Sequence, residues 1–259
     1  MKIKTLTSAL ALLALALSGL AQDARVETLL AEELFEPYGI AVDASTTNNF
    51  YYITDSASSD GIHNRVAALA PATQVIRSLT QFAGDNRPSS PQGITRVSNG
   101  LVVADAGRHR LLRITTTGEV AQVTVLAGVT DEPGPADAVT TNGAAAHFNF
   151  PGGVAWDGGD NIFVADTFND TIRVVSLSST NAVSIYAGRN LGFRRPTALA
   201  FDQATGRLFI ADTGNHVIRV FKASDTSAAV IAGTIGRNVS LGDLNSPRGL
   251  FWAGGTTGL

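Results

Sequence analysis

The sequence predicts an all-β protein: a β-propeller of four-stranded antiparallel blades, with four recognisable blades and the first strand of a fifth. Three observations predict it. A segment opening on proline recurs at Pro37, Pro91, Pro151, Pro196 and Pro247, at spacings of 54, 60, 45 and 51 residues. Each copy divides into short apolar runs separated by turn residues, and each of the first four closes on Ala-Gly: Ala83-Gly84, Ala127-Gly128, Ala187-Gly188 and Ala232-Gly233. Helical periodicity is absent once the first 21 residues are passed. Similarity at a fixed period is the mark of one supersecondary unit stacked in an array, and units of about 45 residues with four strands match the propeller blade.

The chain opens on Lys2 and Lys4, then an apolar run from Leu6 to Leu17, then small residues at Gly19 and Ala21. This is the three-part layout of a secretory signal peptide, with cleavage expected after Ala21. The apolar run is shorter than the ~20 residues a membrane-crossing helix needs, so residues 1–21 read as a removable leader, leaving no membrane span. No cysteine follows, so a lipoprotein-type attachment is excluded. The protein is expected to be exported, periplasmic or extracellular.

The third copy shows the blade most clearly. Gly153 to Trp156 is a short apolar strand. Asp157-Gly158-Gly159-Asp160 has hairpin-turn chemistry, because glycine accepts positive φ and aspartate bonds its own backbone. Ile162 to Ala165, Thr171 to Val175 and Val183 to Tyr186 supply the remaining strands, with a second turn from Asp166 to Asp170. The blades are expected near 37–84, 91–128, 151–188 and 196–233, with a partial one from 247. A lone four-stranded sheet cannot bury both faces, so each blade must stack on its neighbours.

The runs PGGVAWDGGDNIFVADTFNDTIRVV from Pro151 and PTALAFDQATGRLFIADTGNHVIRVF from Pro196 resemble the NHL-repeat family of β-propellers. The copy from Pro91 is good and the copy from Pro37 degraded. Asp131 to Phe150 looks like the long connection between blades of bacterial members. The resemblance implies six blades as the common number, so the chain is expected to be the front part of a longer propeller, or a truncated product. Val26 to Ala31 resembles a fourth strand and is a candidate outer strand for a closing blade.

Composition narrows the chemistry. Among 259 residues there is no cysteine, which removes disulfides, thiolate metal sites and cysteine nucleophiles. The formal net charge of -3 becomes -5 once the leader's two lysines are lost, and the mature chain keeps Lys222 as its single lysine beside sixteen arginines. That balance excludes a chain-wide basic surface for nucleic acid. There is no G-x-S-x-G elbow, P-loop or dinucleotide fingerprint.

Asp55, Asp105, Asp166 and Asp212 each end a second strand. Arg173 and Arg219 follow theirs by seven residues, and in the second copy the corresponding arginine is Arg113. Recurrence once per blade reads as turn capping and charge pairing, since an active site needs asymmetry. His109 and His216 are repeat positions too; His147 lies in the long connection and His63 in the degraded copy. The resemblance raises a metal-dependent lyase or a lactonase, whose ligands would ring the central channel. The innermost strands expected here carry Gly39-Ile40-Ala41, Gly93-Ile94-Thr95, Gly153-Val154-Ala155, Ala198-Leu199-Ala200 and Gly249-Leu250-Phe251. They offer no histidine, so no catalytic residue, metal ligand or cofactor is assigned. Phe148, Phe150, Phe163, Phe193, Phe209 and Phe221 read as blade core, and no aromatic sugar platform is evident.

Arginines gather at one end. Connections into first strands hold Arg87, Arg189, Arg194, Arg195 and Arg237, and Arg248 follows the fifth proline. The opposite end holds Asp43, Asp157, Asp160 and Asp202. Guanidinium forks suit carboxylates, phosphates and sulfates. The expected function is a non-catalytic, exported scaffold binding a protein or an anionic envelope ligand. The alternative is a lyase- or lactonase-type propeller enzyme whose metal site lies partly outside this chain.

Overall fold

The computed structural model describes residues 34, 36–43, 50–56, 64–70, 75–80, 84–117, 120–136, 139–236 and 243–252. The leader, Val26 to Ala31, His63, Arg237 and the residues after Trp252 lie outside them.

Four antiparallel sheets follow one another along the chain as blades. Blade 1 comprises β1 (Pro37–Asp43), β2 (Phe50–Ser56), β3 (Asn64–Ala70) and β4 (Val75–Ser78). Blade 2 comprises β5 (Pro91–Val97), β6 (Gly100–Asp105), β7 (Arg110–Thr117) and β8 (Val120–Ala127). A short strand in the long connection, β9 (Val139–Thr140), precedes blade 3: β10 (Pro151–Trp156), β11 (Asn161–Asp166), β12 (Thr171–Ser176) and β13 (Val183–Ala187). Blade 4 comprises β14 (Pro196–Asp202), β15 (Arg207–Asp212), β16 (Val217–Phe221) and β17 (Ala229–Ala232). Strand order within each blade is sequential, and β9 adds a fifth strand outside β13. The β-propeller expected from the proline period is therefore the observed fold.

Local chemistry sets the hairpins. In blade 3 the Asp157 carboxylate accepts the backbone N–H groups of Gly159 (2.7 Å) and Asn161 (3.1 Å). Gly158, directly after Asp157, takes φ +87°, a region open to glycine at no steric cost. Every first strand carries a register shift just after its proline, at Pro37/Gly39, Pro91/Ile94, Pro151/Val154 and Pro196/Ala198. Proline has no N–H to give to a ladder, so the strand opens irregularly and then settles into pairing.

The apolar core lies between blades. Ala41 and Val66 meet Ile94, Leu101, Leu112 and Ile114. Val97, Val102 and Leu111 meet Val154, Ile162, Val164 and Val175. Phe163 and Ile172 meet Leu199, Leu208, Ile210 and Phe221. The first strands pack in order, β1 on β5, β5 on β10 and β10 on β14. They nest closely because small residues line the contact. An added Cβ at Gly39 would stand 2.5 Å from the Gln92 carbonyl oxygen. One at Gly93 would stand 2.6 Å from that of Gly152, and one at Gly153 would stand 2.7 Å from Ala198 Cα. Among the described residues no comparable packing joins β14 to β1. Apolar side chains are exposed on both flanks of the array: Tyr38 and Ile40 on blade 1, and Val230, Ile231, Ile235 and Phe251 at the other side.

Residues 249–252, expected as a fifth blade's first strand, have no ladder partner among the described residues, which end at Trp252. The segment still sits where such a strand would begin: the Thr213 hydroxyl donates to the Pro247 carbonyl (2.6 Å) as Thr167 does to Pro196 (2.8 Å). Phe209 and Phe150 are only half-buried rather than core. Phe209 is covered by Trp252 at 5.0 Å between ring centroids, and Phe150 stacks on the half-exposed Phe168, also at 5.0 Å. Lastly, Arg113 is not the partner of the blade 2 turn aspartate; it donates to Asn99.

Candidate functional site

One end of the blades, here the top face, carries the connections into first strands and the turns between second and third strands. Its chemistry starts from the repeated aspartates, all fully buried. Each uses Oδ1 to accept the backbone N–H of its own blade's incoming connection: Asp55 from Glu36 (2.9 Å), Asp105 from Ser89 (2.6 Å), Asp166 from Asn149 (2.7 Å) and Asp212 from Arg194 (2.7 Å). Oδ2 faces a guanidinium: Arg65 at 3.3 Å, Arg110 at 2.8 Å, Arg173 at 3.4 Å and Arg219 at 2.7 Å.

The guanidinium comes from two different backbone positions. In blades 1 and 2 it stands directly across the ladder, Arg65 opposite Asp55 and Arg110 opposite Asp105. In blades 3 and 4 those cross-strand sites hold Thr171 and Val217, and the arginine sits two residues further along, at 173 and 219. Two residues along a strand return to the same face, so either position delivers the charge to one place. Sequence spacing alone hid this equivalence.

A second set of bonds ties each blade to the next. The residue before each proline has positive φ: Ser90 (+58°), Phe150 (+55°), Arg195 (+47°) and Ser246 (+50°). Its backbone N–H is accepted by a side chain of the preceding blade: Asn64 Oδ1 (3.1 Å), His109 Nδ1 (3.1 Å), Asp170 Oδ1 (2.7 Å) and His216 Nδ1 (3.1 Å). His109, Asp170 and His216 are themselves left-handed residues, each closing a one-turn 3-10 helix. Accepting at Nδ1 requires an unprotonated nitrogen there, and burial holds the His109 imidazole below its ordinary pKa. His109→Ala is expected to cost about 1–2 kcal/mol by orphaning the Phe150 N–H. His109→Asn, which restores blade 1's acceptor and tolerates positive φ, is expected to recover most of it. Urea-unfolding midpoints of the two variants compare them.

Burial pushes the Asp105 carboxyl up to about 6 against the opposing pull of Arg110 and the Ser89 N–H. Asp166 is likewise pushed up to about 6, against Asn149, Asn169 and Arg173. A folded-state value above the ordinary one means the folded chain holds the proton more tightly. The associated stability is fully present below pH ~4 and is lost as pH rises through ~6. The gap in unfolding free energy between the native chain and Asp105→Asn is therefore expected to be wider at pH 5 than at pH 7, by about 1 kcal/mol. Denaturant titrations at the two pH values measure it.

The asymmetric part of the top face is its arginines. Arg87, Arg189, Arg194, Arg195 and Arg248 are all exposed there. Arg189 is pinned through Nε to the Asn169 carbonyl (2.8 Å). The Arg195 guanidinium lies over the Phe168 ring at 5.7 Å, and Phe168 stacks in turn on Phe150. Phe168 replaces the glycine found at the same turn position in blades 2 and 4, Gly107 and Gly214, so those two turns offer no ring at this position. Arg194 and Arg195 make no ion pair among the described residues, whereas nearby Arg108 is paired with Asp131 at 2.7 Å. Burial raises the Tyr38 hydroxyl above its ordinary pKa, against the opposing charge of Arg248.

Among the described residues no three His, Asp or Glu side chains gather as metal ligands. His109 and His216 are spent in the blade-to-blade bonds, and His147 lies 3.8 Å from Glu132 in the long connection. Among the described residues no helix is long and apolar enough to cross a membrane.

Comparison with known proteins agrees with this architecture. Residues 193–221 match the NHL repeat family, which bears out the resemblance carried by the copy from Pro196. A search of curated protein sequences found no significant match. Similar solved folds include a nidogen/laminin complex (TM-score 0.59, 15% identity, 80% of this chain and 68% of that one). An auxiliary nutrient binding protein from Bacteroides ovatus is also similar (TM-score 0.57, 16% identity, 80% and 51%). So is streptogramin B lyase (TM-score 0.53, 15% identity, 82% and 57%). The chain thus spans about half to two thirds of these structures. At such identities the likeness establishes the fold, which hosts binding and catalysis alike.

Proposed function

We propose that this chain is an exported, non-catalytic recognition scaffold whose top face binds an anionic ligand, either an envelope polymer or an acidic protein. One observation carries the reading. The repeated aspartates and their arginine partners are consumed in holding each blade to its incoming connection, and the turn histidines in tying blade to blade, while Arg194 and Arg195 stand exposed and without ion pairs among the described residues. Their backbone N–H groups are fixed by Asp212 and Asp170, so the side chains are presented from a rigid base. The cation–aromatic contact of Arg195 with Phe168 orders its guanidinium before a ligand arrives, reducing the entropy lost on binding. The net negative charge of the chain as a whole makes this local positive patch selective rather than generally adhesive. Export is supported by the leader-like layout of residues 1–21.

The double variant Arg194→Ser/Arg195→Ser tests the reading. It reproduces the Ser89-Ser90 pair that blade 2 carries at the same two positions, so the backbone bonds are retained. The native chain should be held on an anionic matrix such as heparin and elute at higher salt than the variant; equal elution would sink the proposal. Tight, stoichiometric zinc or calcium binding would instead favour the lyase or lactonase alternative.

A further inference from the structure

Blade 3 differs from its neighbours at the rim of the top face. A pocket of about 420 Å³ opens there, lined by Pro135, Ala136, Thr171, Ile185, Gly188, Arg189 and Asn190. Its origin is the shifted arginine. In blade 2 the cross-strand site holds Arg110, whose Nη1 donates to Thr130 Oγ1 (3.2 Å). In blade 4 it holds Val217, and an added Cβ at the adjoining Gly233 would lie 3.2 Å from Val217 Cα and 3.4 Å from Leu244. In blade 3 the site holds only Thr171, and the guanidinium has moved to residue 173. The volume that a long side chain fills in blade 2 is left open.

The walls are fixed by one buried residue. Asn169 Nδ2 donates to Asp166 Oδ2 and to the Gly134 carbonyl, both at 2.9 Å, which holds the Pro135 side. The Asn169 carbonyl accepts Arg189 Nε, which holds the other side. Thr171 is 1% exposed, and its hydroxyl has no hydrogen-bond partner among the described residues. A buried hydroxyl left unbonded is uncommon in native structures unless a ligand or water completes it. Ile185, by contrast, is 38% exposed and gives the pocket an apolar side.

We infer that this pocket takes a carboxylate borne on a small aliphatic group: the end of a peptide chain or a short free acid. Arg189, anchored through Nε to the Asn169 carbonyl and through Nη2 to Asn169 Oδ1 at 3.5 Å, presents its remaining Nη N–H groups to the carboxylate. Thr171 and Asn190 supply neutral hydrogen-bonding groups, and Ile185, Pro135 and Ala136 receive the aliphatic part. A guanidinium edge is matched in geometry to a carboxylate, and a few polar groups in an otherwise apolar lining suit a small ligand. The site shares Arg189 with the polyanion reading but does not depend on Arg194 or Arg195.

Amide NMR titration of the whole chain tests it, using N-acetyl-L-valine, N-acetyl-L-valinamide, and a pentapeptide ending in valine as the free acid or the amide. Saturable shifts are expected at Thr171, Gly188 and Asn190 with the acids, and binding weaker by about tenfold or more with the amides and in Arg189→Gln. Ile185→Trp, which fills the mouth from an exposed position, should abolish the shifts while leaving Arg189 in place. Arg194→Ser/Arg195→Ser should keep them even where retention on heparin is lost, which separates this inference from the scaffold reading. Response to the peptide alone identifies a chain terminus as the source, and response to the free acid alone a small molecule. No saturable shift with either acid, equal response to acid and amide, or full binding by Arg189→Gln overturns the inference.

Discussion

Replacing Asp166 by alanine is expected to lower the stability of the protein by about 3–5 kcal/mol, the range for breaking a buried ion pair by removing one partner. Asp166 and Arg173 are both fully buried. Without the carboxylate, Arg173 keeps the His147 carbonyl at 3.2 Å among its contacts but loses the Asp166 charge. The Asn149 N–H and one bond of the Asn169 amide lose their acceptor as well. Asn169 also braces the carboxylate pocket, so the loss should spread from the turn to the rim of blade 3. Calorimetric melting of Asp166→Ala beside the native chain, and of Asp166→Ala/Arg173→Leu, decides the cause. The double variant removes the stranded charge and should regain part of the loss; if it melts no higher than the single variant, the uncompensated guanidinium is not what destabilises.

Gly153→Val is the second large effect. A Cβ at this position would lie 2.7 Å from Ala198 Cα, 2.8 Å from the Thr197 carbonyl oxygen and 2.9 Å from the Leu199 nitrogen. Those are backbone atoms of β14, so no side-chain rotation relieves the contact and the first strands of blades 3 and 4 must separate. Overpacking of this kind costs about 3 kcal/mol at the upper end of its usual range. Gly249→Ala is the control, because an added Cβ there meets nothing within 4 Å. Urea unfolding should show a large drop for the first variant and almost none for the second; comparable losses would mean the glycines serve chain flexibility rather than close approach.

Asp166 illustrates how much of the site is legible in the sequence. It stood out through repetition, but turn chemistry pointed to a cap on its own turn, whereas its side chain makes no cap there and accepts the Asn149 N–H of the incoming connection instead. The identity of its partner followed only in part. Arg173 and Arg219 were visible at a constant spacing, but the equivalence of Arg110 and Arg65 was not, because a strand offers two positions on one face and spacing cannot choose between them. Phe150 and Phe168 were harder still. An aromatic residue near a repeat position reads as core, yet Phe150 holds a left-handed backbone at the blade junction and stacks on the half-exposed Phe168. The pocket beside Thr171 left no mark in the sequence at all, since it arises from a side chain that is absent where blade 2 has one.

The sequence by itself determined the fold class and the residue types at each turn, because those depend on local hydrogen bonding and on a period written into the chain. Tertiary structure decided which groups remain available for binding. That depends on what lies across the blade junction: the same histidine, aspartate or arginine is structural when a neighbouring backbone N–H or carboxylate reaches it, and presented to solvent when none does.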